Sequence, residues 1–325
     1  MPFCFPEGIA IDSSANARLS LISHAHSDHG KIGNADRHMM TPATKALLQE
    51  KINKQNKKAK IHTPGFNEKF EFENAKISLH DSGHILGSAQ FLIENAESTT
   101  AFTNDFKLQG SIIQKGAEVL KADTLVIEST FGMPEYAFPE RSEVYAQMAS
   151  WIRQNLRDKK FIVLFGYALG KAQELTKFAN EFCGISPIVH EKIYENNKIY
   201  EKFGIKLGDY SMLDHNLSNS SMLIMPTHMF SNDLLQIIAE YSKRQVASAI
   251  ASGWIFRNYP HSKVFPLSDH ADFPQLMHYI RQSEPKTVLT THGFEREFAN
   301  YIRRKLRINA RALSEQKQSF LQEFV

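Results

Sequence analysis

The chain has 325 residues, 42% of them hydrophobic, with 38 basic side chains against 35 acidic ones and a formal net charge of +3. That is enough apolar material for one large domain or two ordinary ones, and it excludes a disordered chain. Two cysteines cannot staple a fold of this size, no run of 18 apolar residues offers a membrane span, and so small a charge excess does not by itself call for a nucleic-acid partner.

In chain order, residues 1–7 carry no basic region followed by an apolar run, so no signal peptide is expected and a cytoplasmic location is the default. Residues 8–11, 19–23, 69–73, 76–80 and 89–94 read as short strands between Gly, Asn and Pro turns, and 124–128 as a buried strand. Beyond it the pattern changes. Helices over 140–157 and 168–182 flank a strand at 161–165, and 187–190, 222–225 and 246–251 read as further buried strands alternating with helices. That alternation marks a parallel sheet covered by helices. The end of the chain reads as a strand after Lys263, a loop, helix 272–282, strand 287–291 and helix 294–306. The expected class is α/β, with a second unit over 136–262 between a first part, 1–135, and a C-terminal part, 263–325.

Histidine is the outlier, with 14 copies. Ser23-His24-Ala25-His26-Ser27-Asp28-His29-Gly30 puts three imidazoles and a carboxylate within six residues, directly after an apolar strand. Side chains alternate along a strand, so its end projects His24 and His26 to one side, and Asp28 and His29 turn back from the loop. Neutral imidazole and carboxylate are the donors that zinc and similar ions prefer. His84 in a glycine-flanked loop, Asp105 in Phe102-Thr103-Asn104-Asp105 and His292 in Thr290-Thr291-His292-Gly293 all follow apolar strands. They complete His24, His26 and His84 on one ion and Asp28, His29 and His292 on another, with Asp105 bridging. His38, His62, His190, His215, His228, His261 and His278 read as structural.

These residues, in this order, resemble the metallo-β-lactamase fold and, more narrowly, its β-CASP nucleases, which cut RNA or DNA. The resemblance implies an αββα sandwich with an inserted β-CASP α/β domain, and the 187 residues between Asp105 and His292 leave room for one. It carries over the family's acidic motif to Glu128, its second histidine motif to His270, its final motif to His292 and its early supporting aspartate to Asp12. Phe131-Gly132-Met133-Pro134, Ala168-Leu169-Gly170-Lys171-Ala172-Gln173, Ala251-Ser252-Gly253-Trp254 and Leu267-Ser268-Asp269-His270-Ala271-Asp272 are most similar to the bacterial ligase-associated DNA exonucleases, also known as mRNA 3′-end processing factor-like exonucleases. That implies two divalent ions, zinc first and manganese second, and a nucleic-acid substrate with DNA ahead of RNA. It also implies work in DNA repair or end processing, and a functional link to a ligase or helicase. Asp28 and Asp105 would then lie beside the attacking water, with His270 giving the leaving oxygen its proton and Glu128 hydrogen-bonded behind it.

Phosphate contacts are expected where a strand turns into a helix at Gly170 and Lys171, because helix N-termini favour anions, with Ser252 and Gly253 closing the other side. The one basic run, residues 51–60, reads as a solvated loop. Two enzymatic rivals stand beside the DNA exonuclease, and against a third, a nucleic-acid-binding scaffold with a dead site, stands the complete ligand set. One is an RNA-processing nuclease of the same fold, since a histidine at the last motif is more typical of RNA-acting members. The other is a small-molecule hydrolase of the thioester type, which usually needs no second domain.

Overall fold

The computed structural model describes residues 3–4, 8–56, 58–214, 217 and 220–315. His215, Lys57 of the basic run and most of the opening seven residues lie outside the described residues. The chain forms two compact units, one from the described residues of Met1–Gly110, Gly116–Ala137 and His270–Val325, the other from Ser111–Lys115 and Phe138–Asp269.

The first unit opens with β1 (Phe3–Cys4), β2 (Ile9–Ile11), β3 (Leu19–Leu21) and β4 (Arg37–Met39), then α1 (Pro42–Leu47), α2 (Gln49–Gln55) and β5 (Ile61–His62). The five strands lie side by side in sequence order, parallel from β2 onward. Next come β6 (Lys69–Phe72), β7 (Ala75–Asp81), β8 (Ala89–Glu94), β9 (Thr99–Phe102) and β10 (Thr124–Ser129). They belong to a seven-stranded sheet completed from the other end of the chain.

Period-two alternation builds the layers. Along β10, Val126 faces a core shared with Ile9, Leu19, Leu21 and Met39 of the first sheet. Its neighbours Leu125 and Ile127 face the opposite way, into a second core. Ile22, Met40, Leu48 and Ile52 form a third core, where α1 and α2 cover the outer face of the first sheet.

The second unit runs through α3 (Arg141–Arg157), β11 (Phe161–Gly166), α4 (Lys171–Cys183), β12 (Ile188–Val189), α5 (Glu191–Lys202), β13 (Ser211–Met212), β14 (Met222–Pro226), α6 (Asn232–Ser242), β15 (Val246–Ala251) and β16 (Lys263–Phe265). Its six strands are parallel, in the order β13-β12-β14-β11-β15-β16. β11 is buried on both faces: Ile162 and Leu164 pack with α3 and α4, while Phe161, Val163 and Phe165 pack on the side of α6. That is why its sequence reads as a continuous apolar run rather than an alternating one. The expected boundary at 262/263 needs correcting, because β16 pairs with β15 and closes this sheet. The unit therefore extends to Asp269.

The chain returns to the first unit with α7 (Phe273–Ser283), β17 (Thr287–Gly293), α8 (Glu295–Leu306) and β18 (Asn309–Ala312). The order of its larger sheet is β18-β17-β10-β9-β8-β7-β6, parallel from β18 to β9 and antiparallel beyond. Leu276, Tyr279 and Ile280 of α7 and Phe298 and Ile302 of α8 cover its outer face. The first unit is thus helix, sheet, sheet, helix in four layers.

Candidate metal centre

Four strand ends of the first unit bring the histidines together. β3 leads into His24 and His26. The loop from β7 to β8 carries His84 and is closed by Gly87 at φ +77, where a Cβ would strike Ala43 and Thr41 at 2.7 Å. β9 leads through Asn104, at φ 49, to Asp105, and asparagine tolerates that conformation better than most residues. β17 ends in His292 at φ 57 and Gly293 at φ 68.

His24 Nε2 and His84 Nε2 stand 3.1 and 3.0 Å from His26 Nδ1. Asp105 Oδ2 is 3.4 Å from His24 Nε2, 3.7 Å from His84 Nε2 and 3.5 Å from His29 Nε2. Zn–N bonds of roughly 2.0–2.1 Å put tetrahedral donors about 3.3 Å apart, so His24, His26, His84 and Asp105 have the spacing of a four-donor cation site. Three imidazole nitrogens and a carboxylate oxygen converge there, a donor set that could hold a metal ion. His29 Nε2 also lies 3.6 Å from Asp28 Oδ2, and its ring is 5.0 Å from that of His292. Asp12, Asp28, His29 and His292 line one pocket with Asn104 and Lys31. Asp105 therefore touches both groups of ligand-type residues.

Around these donors sits a set of orienting contacts. Asp12 accepts from Ser23 N at 2.7 Å and Ser23 Oγ at 2.6 Å and pairs with His29 Nδ1 at 2.7 Å. Ser23 Oγ also meets His24 Nδ1 at 2.9 Å. The His24 and His29 rings thus each have Nδ1 held by the protein and Nε2 turned toward Asp105. His24 is fully buried, and burial followed by the neighbouring His29 holds it well below the usual imidazole range. Burial opposes charge on His29, but Asp105 and Asp12 outweigh it and raise the ring to about 10. Burial likewise opposes charge on Asp105, and His29 and His270 outweigh it, keeping the carboxyl ionised far below its ordinary range. The centre is built to hold positive charge among carboxylates.

His270 approaches from the start of the α7 segment. Its Nδ1 lies 2.9 and 3.1 Å from the two oxygens of Glu128, which is wholly buried at the end of β10. Glu128 accepts from Phe106 N at 2.8 Å and from Thr130 Oγ1. The His270 ring sits 4.7 Å from His84. Ser129 Oγ donates to the carbonyls of Thr291 and His292, tying β10 to the end of β17. Sequence reasoning passed over Ser23, Ser129 and Thr130, though each adjoins a residue it singled out. It also passed over Lys107, whose buried ammonium donates to the His84 carbonyl at 3.2 Å. The signal for Lys107 was its place two residues after Asp105.

The phosphate contact expected at Gly170 and Lys171 is corrected by the second unit. Lys171 is 1% exposed, and its ammonium goes to Glu174 at 2.6 Å and Asp269 at 2.8 Å. Gly170 N donates to Gln173 Oε1 at 2.7 Å, capping α4 from within. Ser252 N donates to Phe265 O, and Ser252 Oγ accepts from Trp254 N. Gly253 O accepts from Ile255 N. The amide of Gly170 and the ammonium of Lys171 are committed inside the fold, so this pair makes no phosphate cradle, and the contact expected at Ser252 and Gly253 stays a proposal.

Residues 262–313 match the family model described as a Zn-dependent metallo-hydrolase RNA specificity domain. A protein of Opitutus terrae named as a probable DNA ligase is 31% identical over 95% of this chain and 30% of its own length. The 5′ exonuclease Apollo of Gallus gallus is 25% identical over 86% of this chain and 60% of its own. Cleavage and polyadenylation specificity factor subunit 3 of Dictyostelium discoideum is 30% identical over 53% of this chain and 26% of its own. The chain thus spans less than two thirds of each of these relatives. Among the described residues, no helix is long and apolar enough to cross a membrane.

Proposed function

Because the chain belongs to the metallo-β-lactamase-fold β-CASP family, related to its ligase-associated group, we propose that it is a metal-dependent nuclease, most directly a DNA exonuclease in repair or end processing. The observation that carries this reading is the placement of the Glu128–His270 pair against a four-donor cluster of His24, His26, His84 and Asp105. Two ions are proposed, with zinc first and manganese second: one held by His24, His26, His84 and Asp105, the other by Asp28, His29, His292 and the same Asp105. When bound, such ions polarise phosphoryl oxygens and make water nucleophilic at neutral pH.

The chain's own residues do the rest. Asp12 and Ser23 hold the imidazoles of His29 and His24 in orientation. Glu128 accepts from His270 Nδ1, which favours a ring able to give its Nε2 proton to the leaving oxygen. His270 is 24% exposed, so the oxygen of a bound phosphodiester can reach it.

DNA is favoured because a protein named as a probable DNA ligase matches nearly the whole chain and a 5′ exonuclease matches most of it. The same match supports work beside a ligase. RNA processing is the second reading, favoured by the RNA specificity domain and by His292. Digestion of end-labelled single-stranded DNA, duplex DNA and RNA separates the two. Stepwise mononucleotide release from DNA alone supports the first, and preferential loss of RNA supports the second.

A further inference from the structure

The correction at Lys171 leaves a buried ionic network in the second unit without a role. Arg141 opens α3, Lys171 and Glu174 lie in the first turn of α4, and Asp269 is the unit's last residue. Their side chains are 7%, 1%, 1% and 9% exposed. Arg141 meets Glu174 through Nε at 2.7 Å and Nη2 at 3.1 Å, in a bidentate fork. Lys171 joins Glu174 to Asp269 at 2.6 and 2.8 Å. Arg141 also donates from Nη1 and Nη2 to the Ser268 carbonyl, each at 2.9 Å. Tyr145 donates its hydroxyl to Glu174, and burial followed by Glu174 pushes the phenol upward, so it stays a donor.

Buried ion pairs roughly break even against apolar replacements, so stability is a weak account of four of them together, Arg141–Asp269 at 3.5 Å being the fourth. What they fix is specific: the carbonyl of Ser268 and the carboxylate of Asp269, two consecutive residues. The next residue is His270, whose Cα follows that of Asp269 by the 3.8 Å of one trans peptide. Its ring must meet Glu128 at hydrogen-bond distance, and a partly exposed ring takes its aim from its backbone as much as from packing.

We propose that Lys171, Arg141, Glu174 and Asp269 are positioning residues for His270, fixing the backbone that delivers its ring to Glu128. This rests on the nuclease reading, in which His270 protonates the leaving oxygen.

The test is a double-mutant cycle. Asp269→Asn and Lys171→Met are each placed in the wild type and in His270→Ala, and zinc- or manganese-supported cleavage of end-labelled DNA and RNA is measured with metal content and thermal midpoint. In the wild-type background each substitution should lower kcat by up to about 10²-fold, the scale of a misplaced catalytic group, with KM and metal content unchanged. In the His270→Ala background the same substitutions should change the residual rate by less than about twofold, the limit for independent sites. Additive losses in the two backgrounds make the network a support of the fold and overturn the proposal, as does wild-type kcat in both single variants. Should Lys171→Met fail to fold, Asp269→Asn, which exchanges one oxygen for an amide nitrogen, still decides. An active wild type with additive losses removes only the positioning role. A wild type that cleaves neither nucleic acid removes the nuclease reading as well.

Discussion

At the scale of single residues, Asp105 has the widest reach in the site, with one oxygen 3.4–3.7 Å from three imidazoles of two segments. Asp105→Asn keeps the shape and removes the charge, and should strip bound metal and cleavage together; retention of both on metal analysis and digestion would place the cation elsewhere. His270→Ala should separate the two properties. It should keep its metal and lose cleavage by about 10²-fold, the scale of a lost general acid. Loss of metal instead would make His270 a ligand. The clustering of these side chains could be read from sequence because His-x-His-x-Asp-His concentrates donor types within six positions and strand alternation aims them. Lys171 could not. A Gly-Lys pair at a helix start looks like an anion site, and only the arrival of Asp269, 98 residues later, turns it into a buried ion pair.

At the scale of elements, the parallel β10–β17 pair delivers both Glu128 and His292, and its register shifts between Glu128 and Ser129. Gly293 makes that shift possible: it sits at φ +68, and a Cβ there would lie 2.4 Å from the Ser129 carbonyl oxygen. Gly293→Ala should cost roughly 1–3 kcal/mol in backbone strain alone and displace His292. A lowered thermal midpoint together with slower cleavage is expected, and wild-type behaviour in both would show that the turn is slack. Most strands could be read to within a residue or two, Ala89–Glu94 and Val246–Ala251 among them. The strand after Lys263 could be read as well, but not the unit to which β16 belongs, because three residues carry no sign of their partner and it joins its sheet only through long-range pairing with β15. The helix α2 runs into the basic stretch 51–60, whose lysines suggest a loop, and only Ile52 of α2 is buried.

At the scale of the molecule, the proposed ligands come from four separated segments of one unit, so the two proposed cations together would tie β3, the β7–β8 loop, β9 and β17. Chelation should therefore lower the thermal midpoint in a way that added metal reverses, since a ligand at a hundred times its Kd contributes about 2.7 kcal/mol. An unchanged midpoint would mean that the purified protein carries no metal at this centre. The most direct measurement is cleavage of end-labelled nucleic acid by wild type, by chelated and reloaded wild type, and by the His26→Ala, Asp28→Ala double variant. The account predicts cleavage that chelation abolishes and zinc or manganese restores, and none from the double variant at any metal concentration. Full activity in the double variant, or in the chelated enzyme, would contradict it.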